Sequence, residues 1–236
     1  MGRRLRLCWL SADDPPEAFP DTRHALSSPD GLLAAGGDLS APRLLYAYRH
    51  GIFPWYEPGQ PILWWSPDPR TVLFPARMHV SRRLAREMRQ GRFDFSIDED
   101  FAGVIDACAA PRRYGPETWI TPGMRAAYLR LHGLGHAHSL EVWRDGSLVG
   151  GVYGVRLGTV FFGESMFSRV PNASKAALAV LCRELQPAPP SLIDCQLESA
   201  HLLRLGAERV PRDAFLALLD RHCDAPAPHW RLAGGE

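Results

Sequence analysis

The sequence is poor in lysine and in net charge. Among its 236 residues only Lys175 is a lysine, so arginine supplies 26 of the 27 basic side chains, which face 26 acidic ones. The net charge of +1 excludes a polycation that binds nucleic acid over its whole surface. Any site for an anion must therefore be local.

Paired cysteine motifs and long apolar runs are also missing. The five cysteines are odd in number and lack CxxC spacing, which excludes a disulfide framework and a zinc ribbon and favours a reducing compartment. No apolar run approaches the ~20 residues of a membrane span, and the apolar stretch at residues 7–10 is too short for a secretion signal. We therefore expect a cytoplasmic protein with no membrane partner.

Length and composition predict one main domain with a small satellite. Hydrophobic residues make up 46% of the chain and charged residues 22%, as in globular proteins. Residues 1–70 are rich in proline, glycine and aromatic residues and predict an irregular, small N-terminal domain. Its one helix is expected at 42–50 and should end at Gly51. Residues 71–236 would form the main domain.

The main domain shows helical and strand patterns in a defined order. The patterns predict helices at 81–90, 98–109, 122–132, 173–185 and 211–222, and strands at 138–144, 148–155, 159–167 and 192–196. Thr121 and Asn172 are the expected N-caps of the helices that follow them. The order from Pro122 onward, α-βββ-α-β-α, matches the half-open sheet of GNAT-type acyltransferases. We expect an α+β fold with a small N-terminal domain and a GNAT-like acyltransferase domain whose central sheet is mostly antiparallel.

Three histidines with HxxxHxH spacing suggest a metal site at first sight. Gly133 and Gly135 undermine the helix that would bring His132 and His136 to one face, and no acidic third ligand stands near His138. We therefore predict no metal site there.

A polar pair lies at the end of the short predicted strand 192–196. Because side chains alternate along a strand, Asp194 and Gln196 are expected on one face and Cys195 on the other, in the core. Polar groups on a buried strand are costly without partners. A functional role for the pair is therefore at least as well supported as a structural one.

Aromatic residues and arginines are each concentrated in short segments. The aromatic runs at 53–56 and 64–65 either fill a small core or stack on bases, and the composition leaves both open. Residues 82–92 carry five arginines and one glutamate, which predicts an anion patch, with a solvated helix face as the alternative. The predicted contacts to nucleic acid are Arg82, Arg83, Arg86 and Arg89. If these do not bind, the alternative candidates are Arg3, Arg4, Arg6, Arg112 and Arg113.

Several strings in a fixed order resemble one family, the bacterial leucyl/phenylalanyl-tRNA protein transferases, over roughly residues 30–210. The strings are GLLAAGGDL (31–39), GIFPW (51–55), WWSPDPR (64–70), TWI (118–120), LGHAHSLEVW (134–143), FGESMFS (162–168), NASK (172–175) and IDCQ (193–196). The resemblance implies transfer of Leu or Phe, and by extension Met, from aminoacyl-tRNA to the N-terminal Arg or Lys of an acceptor protein, which marks that protein for degradation by the N-end rule. It also implies no metal and no coenzyme, and we expect a monomer.

The resemblance assigns roles to single residues. Trp55 and Trp119 look like aromatic walls for the aminoacyl-adenosine end of the tRNA, and Glu164 like a polar contact to it at the catalytic centre. Asp194 and Gln196 look like the catalytic pair. Three neighbours of Glu164 in its string would also contact substrate: Phe162, Met166 and Ser168.

Two other classes remain open on the residues alone. An acetyl-CoA-dependent acyltransferase would share the topology, but a pyrophosphate-binding Gln/Arg-x-x-Gly-x-Gly/Ala string is missing ahead of the helix at 173–185. A non-catalytic RNA-binding module would explain the aromatic residues and arginines, but not a polar pair on a buried strand.

Overall fold

The computed structural model describes residues 7–111, 118–186 and 191–232. Two sheets hold the molecule together: a four-stranded sheet near the N-terminus and a seven-stranded sheet that forms the rest. Within the described ranges, no helix is both long and apolar enough to cross a membrane.

The small sheet corrects the prediction that residues 1–70 are irregular. Its strands run in the order β1-β2-β4-β3, with β1 parallel to β2 and the other pairs antiparallel. The predicted helix α1 is confirmed at Ala41–Arg49, followed by Gly51 at a φ of +70°. The strands were missed because none exceeds five residues: β1 Cys8–Leu10, β2 Leu32–Gly36, β3 Phe53–Pro54 and β4 Leu63–Trp65.

The large sheet confirms the mostly antiparallel α+β architecture. Its order is β11-β5-β10-β9-β8-β7-β6, and among these described strands only β9 and β10 pair in parallel. The predicted meander is present as β7 to β9. The strands are β5 Arg70–Leu73, β6 Asp94–Ile97, β7 Ala137–Arg144, β8 Ser147–Leu157, β9 Val160–Ser168, β10 Leu192–Gln196 and β11 Glu208–Val210.

Among the described residues, six further helices cover the large sheet, and all but α6 were predicted. They are α2 Arg82–Arg89, α3 Phe101–Ala109, α4 Pro122–Gly133, α5 Ala173–Leu185, α6 Ala200–Arg204 and α7 Arg212–His222. The Thr121 hydroxyl caps α4 by accepting from the Met124 amide. Asn172 is the N-cap residue of α5, as predicted, but its side chain makes no capping hydrogen bond: Asn172 has a φ of +70° and its Nδ2 donates to Glu87.

One hydrophobic cluster runs through both sheets. Tyr48 and Trp64 from the N-terminal part pack in the same buried cluster as Tyr128 and Phe162. A second cluster lies between the large sheet and α5. The aromatic residues therefore divide between the two open interpretations: Trp64 is fully buried in the core, whereas Trp55 is 39% exposed. The boundary at residue 70 stays a prediction.

Candidate active site

The site forms where two neighbouring strands separate. β9 and β10 pair only from Val160 to Phe162 and from Leu192 to Asp194. Just beyond, β9 shifts register against β8 around Glu164, and β10 shifts register against β5 between Asp194 and Gln196. Such bulges re-aim side chains. The result is a contact from the Gln196 amide Nε2 to Glu164 Oε1 at 3.0 Å.

Glu164 is held by two tyrosines from distant parts of the chain. The Tyr48 hydroxyl of α1 donates to Oε1 and the Tyr128 hydroxyl of α4 donates to Oε2, both at 2.7 Å. Burial raises the pKa of Glu164 to about 7, although the two hydroxyls oppose that shift. The nearby charge of Asp194 raises it further, and the Gln196 amide lowers it. A carboxyl that titrates near neutrality can both accept and donate a proton at cellular pH.

Asp194, predicted to form the catalytic pair with Gln196, lies behind Gln196 and lines neither of the two cavities described below. Its side chain is fully buried and forms a bidentate pair with Arg70, at 2.8 and 2.7 Å. Asp194 Oδ1 also accepts from the Gln196 amide N–H at 2.9 Å. The expected alternation of side chains along β10 does not extend to Gln196, because the strand bulges after Asp194 and Gln196 has a φ of +56°. Asp194 is therefore a positioning residue that holds the backbone of Gln196.

The guanidinium of Arg70 also contacts two aromatic rings and a backbone carbonyl. It lies 4.7 Å from the ring centres of both Phe53 and Phe215, and it donates to the Gly51 carbonyl at 3.1 Å. The turn at Gln196 thus rests on a buried ion pair that links the small sheet, β5 and α7.

Two cavities meet at Glu164 and Gln196. One, of about 260 Å³, is aromatic and is lined by Phe53, Pro54, Trp55, Trp119 and Leu197. The other, of about 130 Å³, is apolar and is lined mainly by Val152, Phe161, Met166, Leu178, Leu181, Ile193 and Leu202. Cys195 borders both cavities, so the prediction of a core cysteine holds only in part. Burial raises the pKa of its thiol, which disfavours a thiolate nucleophile.

The structure brings three of the five predicted substrate-binding residues together. Trp55, Trp119 and Met166 all line the two cavities. Phe162 is fully buried against Tyr48, with ring centres 5.1 Å apart, so it supports the site from behind and does not face a ligand. Ser168 lies at the far end of β9, where its hydroxyl donates to the Val170 carbonyl and accepts from the Ser174 amide. Its side chain lines a separate groove.

Sequence reasoning missed the tyrosines and part of the apolar wall. Tyr48 and Tyr128 are 80 residues apart, and each lies on the buried face of an ordinary amphipathic helix. Nothing in either helix distinguishes these tyrosines from core residues, because their function depends on a partner from β9.

The arginine helix α2 presents its charges to solvent. Arg82, Arg83, Arg86 and Arg89 are exposed, and Arg83 pairs with Glu87 at 3.0 Å. In the part of the chain that the structure describes, the other three form no ion pair. The alternative candidates Arg3, Arg4, Arg6, Arg112 and Arg113 lie outside the described residues.

Comparison with known proteins identifies the class and then the family. A family model described as leucyl/phenylalanyl-tRNA protein transferase matches residues 72–220, and its N-terminal domain model matches residues 37–68. The relative from Pseudomonas syringae pv. syringae is 57% identical over 93% of this chain and 95% of its own length. The one from Azotobacter vinelandii is 59% identical over 89% and 93%. The protein is an aminoacyltransferase enzyme. It belongs to the leucyl/phenylalanyl-tRNA–protein transferase family.

Solved structures show only a distant likeness to the fold. A GCN5-related N-acetyltransferase from Kribbella flavida is 14% identical with a TM-score of 0.36, over 70% of this chain and 58% of that one. L-PGS from Bacillus licheniformis is 9% identical with a TM-score of 0.37, over 66% and 50%. The family assignment rests on the sequence relatives.

Proposed function

We propose that this enzyme moves Leu or Phe from aminoacyl-tRNA to the N-terminal Arg or Lys of acceptor proteins. The observation that carries the proposal is the meeting of an aromatic and an apolar cavity at Glu164 and Gln196. The aminoacylated end of a Leu or Phe tRNA likewise has an aromatic part, the terminal base, and an apolar part, the amino-acid side chain. The ester between them would lie at the junction of the cavities.

The aromatic cavity suits the terminal adenosine. Trp55 and Trp119 offer flat faces on which a base can stack, an interaction worth about 1–3 kcal/mol per base. Trp55 is held from behind, because its carbonyl accepts from the Trp65 indole at 2.7 Å.

The apolar cavity suits the side chain of the donor amino acid. Its walls are aliphatic and aromatic apart from Glu164, Ser165, Cys195 and Gln196. A charged or strongly polar side chain would lose its water there without compensation. Met166 is an adaptable wall, which favours a site that accepts Leu, Phe and Met alike.

Orientation supplies most of the chemistry that this reaction requires. An aminoacyl ester is already activated, and an α-amine with a pKa near 7.7 to 8.0 is partly neutral at cellular pH. The Gln196 amide N–H₂ is engaged by Glu164, which leaves its amide oxygen to accept a hydrogen bond from the attacking amine.

The arginines of α2 are proposed to contact the body of the tRNA. Arg82, Arg86 and Arg89 are exposed and lack ion-pair partners among the described residues, so phosphate contact would displace no existing pair. Since charged tRNA is a cytoplasmic molecule, we place the activity in the cytoplasm and expect a monomer to carry it out.

The test is a single reaction read by mass. The enzyme is incubated with leucyl-tRNA and a peptide that begins with Arg, and we expect one added Leu at the peptide N-terminus. A peptide that begins with Glu is the matched acceptor control, and acetyl-CoA in place of leucyl-tRNA tests the acetyltransferase alternative. Acetylation of the Arg peptide, or addition of Leu to the Glu peptide at the same rate, would contradict the proposal.

A further inference from the structure

Three oxygen-bearing side chains form a closed triangle behind the reaction centre. The hydroxyls of Tyr48 and Tyr128 lie 2.6 Å apart, and each lies 2.7 Å from a different oxygen of Glu164. All three distances are those of real hydrogen bonds between oxygens. Both tyrosines are fully buried, so the side of the triangle that they form is closed by protein.

Counting protons shows what this triangle requires. Three hydrogen bonds need three protons, and two phenols supply two. Burial raises the pKa of both phenols, so both tyrosines keep their own protons and neither supplies the third. With an ionised carboxylate, one pair of oxygens would face each other at 2.6–2.7 Å with no hydrogen between them. The third proton therefore belongs to the carboxyl group of Glu164.

Gln196 sets the direction of the ring. Glu164 Oε1 already accepts from the Gln196 amide at 3.0 Å and from Tyr48, so the proton of the protonated carboxyl lies on Oε2. The hydrogen bond with Tyr128 is then reversed relative to the ionised carboxylate: Oε2 donates and the Tyr128 oxygen accepts. Tyr128 then donates to Tyr48, and Tyr48 donates to Oε1. Each tyrosine oxygen then accepts one hydrogen bond and donates one, Oε2 donates and Oε1 accepts, so all three protons of the ring have an acceptor.

We propose that Glu164 is the proton shuttle of the transfer reaction, and that Tyr48 and Tyr128 are positioning residues that hold it in that task. The proposal rests on the proposed function. The working form is the carboxylate, and the closed ring of the structure is the stage at which it holds the proton. Because Glu164 borders both cavities, it lies beside the place where the ester would sit.

The step balances without any further reactant. The α-amine of the acceptor attacks the ester carbonyl, and a C–N bond forms. The amine proton passes to Glu164, which closes the ring. The bond from the carbonyl carbon to the ribose oxygen then breaks, and Glu164 gives the proton to that departing oxygen. The carboxylate is restored, and the proton has moved from the amine to the tRNA.

The test compares pH–rate profiles of Leu transfer in wild type, Tyr48→Phe, Tyr128→Phe and Glu164→Gln. The wild-type kcat should rise with pH through a limb near 7, because Glu164 must be ionised to accept a proton. Each Phe variant removes one donor to the carboxylate and should move the limb to higher pH, with KM for leucyl-tRNA nearly unchanged. Glu164→Gln should lose the component near pH 7, keep only the rise set by the acceptor amine, whose pKa is about 7.7 to 8.0, and lower kcat on the order of 100-fold or more.

Controls separate the possible failures. Tyr153→Phe is the matched buried control, since its ring contacts Tyr128 edge-on while its hydroxyl has no partner among the described residues; its limb should stay in place. The acceptor amine is the same in every assay, so a displaced limb reports the enzyme. Infrared titration of the Glu164 carboxyl in the free enzyme gives the same midpoints without any turnover.

Each outcome has one meaning. An active wild type whose component near pH 7 persists in Glu164→Gln, or stays fixed in both folded Phe variants, overturns the shuttle. A carboxyl titration that moves while the rate profile does not also overturns it. A wild type that transfers nothing to the Arg peptide refutes the proposed function instead, and the infrared titration still shows whether the ring holds a proton.

Discussion

Asp194 and Asp106 each form a bidentate pair with an arginine, but at opposite extremes of burial. The Asp194–Arg70 pair is at most 1% exposed, whereas Asp106 and Arg125 are 52% and 40% exposed. Removing one partner of a buried pair costs about 3–5 kcal/mol, and an exposed pair contributes about 0–1 kcal/mol. The same chemistry therefore has different consequences at the two positions.

We predict that Asp194→Asn lowers the free energy of unfolding by about 3–5 kcal/mol, because Arg70 is left charged and buried. Urea denaturation measures the change, and Asp106→Asn is the matched control with a loss under about 1 kcal/mol. The folded fraction of Asp194→Asn should also turn over more slowly, since a side chain without the bidentate pair to Arg70 holds the backbone N–H of Gln196 less firmly. Equal losses of stability in the two variants would contradict the assignment.

Glu164 makes stability depend on pH in an unusual direction. Its pKa in the folded protein is about 7, against an ordinary value of 4.5. A raised carboxyl pKa means that the folded state binds the proton more tightly, so this contribution is full below about pH 4.5 and is lost as pH rises through 7.

We predict that wild type loses roughly 3 kcal/mol of stability between pH 4.5 and pH 8 relative to Glu164→Gln, whose amide does not titrate. Paired denaturation curves at several pH values measure the difference. A difference that grows in the opposite direction, in favour of wild type at high pH, would show that burial does not dominate at Glu164.

Trp55 and Trp119 are expected to bind the adenosine end of the substrate. Replacing either with Ala should weaken the use of a short aminoacyl-adenosine analogue by about 1–3 kcal/mol. Competition assays with the analogue measure the loss, and Trp9→Ala is the control, because Trp9 is 68% exposed on β1 and lines neither cavity. Unchanged affinity in both folded cavity variants would remove the stacking role.

At the scale of single elements, α2 is a surface helix that packs against the protein through one face and exposes its arginines on the other. Leu84 is its buried residue. Glu87 pairs with Arg83 within the helix and accepts a hydrogen bond from Asn172, which precedes α5. The remaining arginines are left for solvent or for a polyanion. This arrangement separates residues that maintain the helix from residues that are free to bind.

We predict that replacing Arg82, Arg86 and Arg89 with Gln weakens binding of full-length charged tRNA and flattens its dependence on log salt. The slope should fall by about 0.7 per lost contact on a single strand and about 0.9 on a duplex. Reaction with the short aminoacyl-adenosine analogue should not change.

The control on the same helix is Arg83→Gln, which removes an arginine that is already paired with Glu87 and should change the slope less than any one of the other three. A wild-type slope in the triple variant would instead favour a solvated helix face and place the tRNA contact elsewhere.

At the scale of the molecule, the small sheet and the large sheet share one interior. Tyr48 of α1 reaches Glu164 of β9, and Arg212 of α7 donates to the carbonyls of Ser66 and Thr22. The active site therefore needs both parts of the chain in place.

We predict a single cooperative unfolding transition, in which tryptophan fluorescence and far-UV circular dichroism change together. The shared cluster makes separate unfolding of residues 7–69 costly, because it would expose the buried faces of Tyr128 and Phe162. Two transitions, with fluorescence changing first, would show that the parts unfold independently.

The sequence by itself determined the elements that have a long, regular pattern and the residues that belong to a family string. Helix Ala173–Leu185 and strand Leu192–Gln196 have the predicted bounds, since hydrophobic periodicity is a local property. The strings likewise located Trp55, Trp119, Glu164 and Gln196 without a structure, because each chemical type is visible in the sequence.

Only the tertiary structure decided which way these residues point and what they touch. Two bulges at the diverging strands interrupt the alternation of side chains that predicted Asp194 and Gln196 on one face. A bulge cannot be recognised from the alternating pattern of the sequence. The ring around Glu164 joins Tyr48 to Tyr128, which are 80 residues apart, and Tyr128 to Glu164, which are 36 residues apart. Its protons and its pKa depend on burial and on partners brought from distant helices, which no local pattern contains.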